Sequence, residues 1–237
     1  MTANAIAAEP HPRPRGKRAA PEPGEALNRR ADLVRVAARM FREKGFEGTT
    51  IRDIAHAVGM RSGSPFYHFA NKHEILMAVM EEGLRLGLER TESVLGDDHP
   101  PATEQFRRLV RAHYGILHDR GSDFIPVMLY DWRSLPDQYK RRIIELKDRY
   151  DAIWQRTLDD LHAQGRLHTE PHLARLIILG AINFSATWYR AESRKARAVD
   201  LDELAAQTVA LVLHDPAGPP QGRIPQREAR RFPEDPA

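Results

Sequence analysis

The sequence predicts an all-α protein: a three-helix head carrying a helix-turn-helix, followed by a helical-bundle body. Three observations predict it. Apolar residues recur at i, i+3, i+4 and i+7 along most of the chain, with no strand-like alternation. Glycine and proline fall where those stretches begin and end. Between Thr49 and Lys72, two short runs meet at Val58-Gly59, the layout of two helices joined by a tight turn.

The chain has 237 residues, enough for one large or two small domains. It has no cysteine, so neither a disulfide framework nor a thiolate metal site is expected, and a reducing cytoplasm fits. No apolar run approaches the roughly eighteen residues of a membrane span. Met1 to Ala20 carries prolines and arginines where a secretory signal has its apolar core. The net charge of +3 is unevenly spread: residues 1–72 hold 13 Lys/Arg against 7 Asp/Glu, the remainder 23 against 26. A basic head on a mildly acidic body suits a head that meets DNA.

In chain order, residues 1–24 lack any apolar period and read as a disordered arm, basic at Arg13, Arg15, Lys17 and Arg18. A first helix runs from about Glu25 to Lys44, burying Leu33, Val36, Ala37, Met40 and Phe41, and Gly45 ends it. Thr50 and Asp53 form a capping box for the next helix, whose inner face is Ile51, Ile54, Ala55 and Val58. Gly59 makes the turn. Ser62 caps a following helix with Pro65 in its first turn, and Phe66 and Phe69 share its inner face. Residues 25–72 therefore read as a DNA-binding domain whose second helix can enter the major groove. Arg61, Ser62, Gly63, Ser64, Tyr67 and His68 point outward. Thr50, Arg52 and Arg61 are the expected phosphate contacts; Ser62, Ser64, Tyr67 and His68 are the candidates for base edges.

These residues also carry a resemblance. Phe41, Gly45-Phe46, Thr49-Thr50, Asp53-Ile54-Ala55, Val58-Gly59, Ser62-Gly63, His68-Phe69 and Lys72 occur in the order and spacing of the TetR family of bacterial repressors. Each is common alone; their joint spacing, over about residues 28 to 78, is specific. The resemblance implies a dimer on a palindromic operator and a phosphate contact at Lys72. One departure stands out. The family usually has a tyrosine three residues before the phenylalanine matching Phe69, where this chain has Phe66, with Tyr67 displaced by one.

Residues 73–213 read as the effector-binding and dimerisation body. Asn71 caps a long helix to about Leu95, the only continuous link from head to body. Helices follow over Ala102–His118, Asp123–Trp132 (interrupted near Pro126), Pro136–Ala163, Pro171–Arg190 and Leu201–Leu213. The Pro171–Arg190 helix is apolar all round, so one face needs a partner. Leu173, Ile177, Ile178, Ala181, Leu204 and Val209 are the expected dimer contacts. His113, Met128, Trp132, Arg133, Trp154, Asn183, Trp188 and Arg190 are the expected lining of an effector pocket, mostly apolar with a few polar groups. Leu129 to Pro136, together with Asn183 and Trp188-Tyr189-Arg190, resembles the TetR branch governing lipid, sterol or acyl-CoA catabolism. That implies an acyl-CoA or fatty-acid-like anion held by Arg133 or Arg190. A multidrug-efflux repressor sensing hydrophobic cations would want buried carboxylates, and Asp131, Glu145 and Asp148 read as solvent-facing.

Residues 214–237 read as a disordered tail. His168 and His172 are four apart, but Pro171 separates them, and no zinc-protease pattern, phosphate-binding glycine loop or nucleophile elbow is present. Neither an enzyme, a cofactor nor a metal is expected. The rival reading is a helical adaptor whose helix-turn-helix no longer reads DNA.

Overall fold

The computed structural model describes residues 23–60, 64–96, 100–119, 123–189 and 199–214. The described residues form eight α-helices and two 3-10 turns, and no strand. The helices are α1 (Pro23–Lys44), α2 (Ile51–Ala57), α3 (Lys72–Leu95), α4 (Ala102–His118), α5 (Phe124–Asp131), α6 (Asp137–Ala163), α7 (Pro171–Trp188) and α8 (Leu201–Val212). The arm before residue 23 and the tail after 214 lie outside the described residues.

The head is built by local signals. Helix α1 buries Leu33, Ala37 and Phe41 and stops at Gly45, whose φ of 74° an L side chain rarely adopts. Phe46 folds back on Phe41, ring centroids 5.5 Å apart. Thr50 caps α2: its hydroxyl accepts from the Asp53 N–H, and the Asp53 carboxylate accepts from the Thr50 N–H. Gly59 (φ 69°) then turns the chain, and Met60 N–H donates back to Ala55 O at 2.8 Å.

The next segment differs from expectation. The described helical structure is only a 3-10 turn, Ser64–Tyr67. Pro65 has no N–H to continue a ladder, though its carbonyl accepts from both His68 and Phe69 N–H. Phe69 plugs the head core, but Phe66 is exposed rather than packed beneath it. Three residues bring two side chains to one face of a regular α-helix; a short turn ending at Tyr67 does not continue that face.

Asn71 caps α3, accepting from Glu74 N–H at 3.0 Å. The proposed domain boundary at residue 72 therefore opens a helix common to head and body. Around α3 stand α1, α4, α5 and α6. At Gly83 an added Cβ would lie 2.8 Å from the Phe124 Cβ, so glycine permits the close approach of α5. Pro126 does not interrupt α5; it is the third residue, where a missing N–H costs no helical bond. Helix α4 buries Phe106, Leu109, Val110 and the run Ala112–Leu117, and Trp154 of α6 meets Phe106 edge-on at 6.2 Å. Helix α8 leans on α4 through Tyr114 and Thr208, whose hydroxyls are 2.9 Å apart. His214 N–H donates to Arg166 O at 2.8 Å, so the first residue assigned to the tail is tied to the body.

Helix α3 is not the only link between head and body. Arg42 on α1 pairs with Asp123 at 2.8 Å, and Phe46 N–H donates to the Asp131 carboxylate at 3.3 Å. Both acceptors flank or end α5, so Asp131 faces the head rather than solvent. Burial raises its pKa, with the Phe46 N–H pulling the other way.

A DNA-reading surface and a cavity in the body

The outward surface of the head is assembled from three segments. Tyr67 is 90% exposed and Phe66 56% exposed at the tip of the 3-10 turn. Arg52 is exposed on α2. The Arg30 guanidinium of α1 stands over the Phe69 ring, 4.9 Å from its centroid. Burial, then Arg30 and Arg29, lower the His68 pKa, so His68 is neutral at pH 7 and both arginines lie near the reader. Both are exposed, and the fold of α1 across the turn brings them here. Thr50 Oγ1 is occupied with Asp53. Lys72 donates to Phe46 O at 2.8 Å and sits 4.0 Å above the Phe46 ring. Its ammonium thus ties the start of α3 to the turn after α1, which spacing alone did not reveal. Arg61, Ser62 and Gly63 lie outside the described residues, as does Ser64's side chain.

In the body, α3, α4, α5, α6 and α7 enclose a cavity of about 220 Å³. Its apolar wall includes Leu84, Ile116, Ile125, Met128 and Leu179. His113, Met128 and Asn183 line it, as the sequence reading expected. Trp154 does not: it lies wholly buried behind His113, its ring edge-on at 5.8 Å. Trp132 and Arg133 belong to a 3-10 turn (Trp132–Ser134) beyond the cavity, with Arg133 exposed. Trp188 is exposed at the end of α7, and Arg190 lies outside the described residues.

Two polar clusters line the cavity instead. At the buried end, His113 Nδ1 lies 2.7 Å from the Tyr150 hydroxyl and Nε2 lies 2.9 Å from Asn183 Oδ1. The amide oxygen only accepts, so Nε2 carries the proton and Nδ1 accepts from Tyr150. Burial pushes the His113 pKa down to about 4 and that of Tyr150 up to about 12, so both stay neutral. At the other end, Asp151 accepts from both Lys147 and Arg175, the latter at 2.6 Å. Arg175 and Asp151 are 11% and 14% exposed. A nearly buried carboxylate therefore does face the cavity. It was not legible because Asp151 and Arg175 sit on different helices and meet only through packing.

The outer face of α7 is apolar and open. Leu173, Leu176, Ile177, Phe184 and Trp188 are exposed, as is Ala181. Ile178, by contrast, is 4% exposed and packs against its own core. On α8, Val209 is buried and Leu204 half-buried, whereas Leu211 is exposed. Ile178 and Val209 therefore belong to the protomer's core rather than to an outer face. A helix apolar on every side gives no polar face from which to set its rotation.

Among the described residues no helix is long and apolar enough to cross a membrane. Nor do they bring together three or more His, Asp or Glu side chains able to hold a metal. The His168 and His214 rings meet tilted, centroids 4.2 Å apart, while His172 contacts Arg175.

A helix-turn-helix head, bonded to a helical body that encloses a cavity, defines a DNA-binding regulator of transcription. Residues 33–79 match the family described as bacterial regulatory proteins, tetR family, and residues 99–215 match the tetracyclin repressor-like C-terminal domain. The chain belongs to the tetR family. It is 47% identical over 172 residues to the HTH-type transcriptional repressor KstR2 of Mycobacterium tuberculosis, covering 70% of this chain and 84% of that one. The KstR2 repressor of Mycolicibacterium smegmatis is 26% identical over 196 residues, covering 81% and 92%. Among solved structures, AibR in complex with isovaleryl coenzyme A and operator DNA has a TM-score of 0.71 at 22% identity. That match covers 78% of this chain and 97% of AibR, a likeness of fold.

Proposed function

We propose that the chain is a ligand-released repressor, acting as a homodimer on a palindromic operator in the cytoplasm. Residues 25–72 form the reading domain and residues 73–213 the sensing and dimerising body. Thr50, Arg52, Arg61 and Lys72 fix the protein on phosphates, joined by Arg29 and Arg30. Ser62, Gly63, Ser64, Tyr67 and His68 approach the bases. The open face of α7, with Leu211 of α8, packs against a second copy as a four-helix bundle. The effector is an amphipathic anion of the acyl-CoA or fatty-acid kind, bound in the cavity. The chain performs no catalysis.

One observation carries the sensing half of this reading. Ile125 and Met128 of α5 line the cavity, while Asp123 and Asp131 at the ends of the same helix bond the head. A ligand that moves α5 acts on the head directly, and a differential affinity of about 1–3 kcal/mol between two head positions gives a useful response. The relatives named as repressors support the sign of regulation. A second reading, a hydrophobic-cation sensor, draws on Asp151 at the cavity wall.

The test is a gel-shift with DNA from upstream of the protein's own gene, across a salt series, with acyl-CoAs, free acids and hydrophobic cations titrated in. Salt-dependent, sequence-specific binding released by the acids or thioesters is expected. Release by cations alone selects the second reading, and no sequence preference at any salt concentration refutes both.

A further inference from the structure

The two polar ends of the cavity differ in what they can accept. At the solvent end, half-exposed Lys147 and nearly buried Arg175 share a single carboxylate, Asp151. Two cations against one anion leave an excess positive charge at that end. Arg175 also contacts Gln155 through Nε and His172 through Nη2, yet with five donors in a fixed fork it keeps N–H groups to spare. At the inner end no group is charged. The Asn183 oxygen is occupied by His113, which leaves the Asn183 NH₂ as the donor of that end. Arg175 and Asn183 lie on the same helix, eight positions apart, which separates them by about 12 Å along its axis.

We propose that Arg175, with Lys147, takes the anionic end of the effector, and that Asn183 takes an uncharged hydrogen-bond acceptor, such as a carbonyl oxygen, at its other end. The inference rests on the reading of the cavity as the effector site. The ligand class is an apolar body about 12 Å long with an anion at one end and a neutral acceptor at the other. Asp151 is the built-in counter-ion that the anion partly displaces. The anion is a free carboxylate or a phosphate of a thioester carrier.

The probes are decanoate, its (ω−1)-oxo derivative, decanoyl-CoA, decan-2-one and decylammonium, measured on the full chain by calorimetry and by operator release. The oxo-acid should bind more tightly than decanoate, and both far more tightly than decylammonium. Arg175→Gln should weaken the acids roughly 10- to 100-fold and the ketone little, because only the acids lose a charge-assisted hydrogen bond. Asp151→Asn should do the reverse and tighten them, a gain that simple loss of packing would not produce. Asn183→Leu should erase the preference for the oxo-acid. If decanoyl-CoA outbinds decanoate and shares the Arg175→Gln loss, the anion is the carrier's phosphate; equal or weaker binding puts it on the carboxylate.

A preference for decylammonium, an unchanged acid affinity in Arg175→Gln, or no binding by any acid or thioester overturns the proposal. Gly87→Leu separates this failure from that of the underlying reading. A Cβ at Gly87 meets Tyr150 and Ile116 at 3.6 and 3.8 Å, so a larger side chain there fills the cavity. If Gly87→Leu binds every probe normally, the cavity is not the effector site. If it blocks the probes while Arg175→Gln changes nothing, only the present assignment falls.

Discussion

Replacing Ile177 by glutamate should split the dimer while leaving each protomer folded, whereas Ile178→Ala should weaken the protomer itself. Ile177 is 65% exposed and Ile178 is 4% exposed, about 100° apart around α7. Fully burying an isoleucine is worth about 1.5–3 kcal/mol, so covering the exposed part of Ile177 is worth about 1–2 kcal/mol per chain. A two-fold axis doubles this to about 2–4 kcal/mol, or roughly a 30- to 1,000-fold change in dimer Kd. Glutamate adds the cost of desolvating a carboxylate on an apolar face, so the loss should sit at or above the top of that range. Ile178→Ala removes core atoms and costs about 2–5 kcal/mol of protomer stability. Sedimentation equilibrium over a concentration series reads the first effect; denaturant unfolding of the same samples reads the second. An Ile177→Glu protein that stays dimeric at nanomolar concentration refutes the assignment of the α7 outer face. So does an Ile178→Ala protein of unchanged protomer stability.

Tyr67→Ala should lower operator affinity in a gel-shift yet change unfolding free energy by less than about 0.5 kcal/mol, since an exposed side chain supports little. His113 titrates lower in the fold, at about 4 instead of 6.5, so its contribution is complete above pH 6.5 and is lost as pH falls toward 4. That loss amounts to about 3 kcal/mol, and His113→Gln should flatten the acid limb of a Tm-against-pH curve. Asp131 is shifted the other way: its pKa is raised, so its contribution is present below the ordinary aspartate value and lost as pH rises through the folded one. Asp131→Asn keeps an acceptor for Phe46 N–H and should hold Tm level or raise it at neutral pH; a marked drop would show that the charge itself is needed.

Where the fold rests on short-range chemistry, the sequence states it openly. The Thr50–Asp53 box, the Asn71 cap and the glycines 45, 59, 96 and 165, all at positive φ, mark helix ends within a few residues of the periodicity they interrupt. The all-round apolar character of α7 announced two packing surfaces. It did not say which residue faced which, so Ile178 was placed outward beside Ile177. The cavity was legible only in part. His113, Met128 and Asn183 could be chosen as polar or soft residues on apolar helices. Arg175 and Asp151 could not, because in sequence each is a charge on an otherwise ordinary helix and they meet through the packing of α6 on α7. Arg133 and Arg190 were chosen for lying beside aromatics in sequence, a neighbourhood that three dimensions do not preserve for Arg133. Lys72 was read by resemblance as a phosphate contact, and its bond to Phe46 O became visible only once the turn after α1 had closed.

Tyr67 stands at the tip of the head, 90% exposed, touching little of the protein that carries it. Side chains that support nothing can change without unfolding anything. On the proposed function, variation at Tyr67 is therefore tolerated by stability and constrained by the DNA it would meet. A copy of this gene released from its original operator can drift toward a new one through substitutions that leave the protein equally abundant in the cell. The core below fixes Phe69 and Ile54, which must keep their shape if the tip is to be held out at all. If the cavity is the effector site as proposed, recognition can thus diverge between otherwise similar proteins faster than sensing, because the cavity shares its walls with the core.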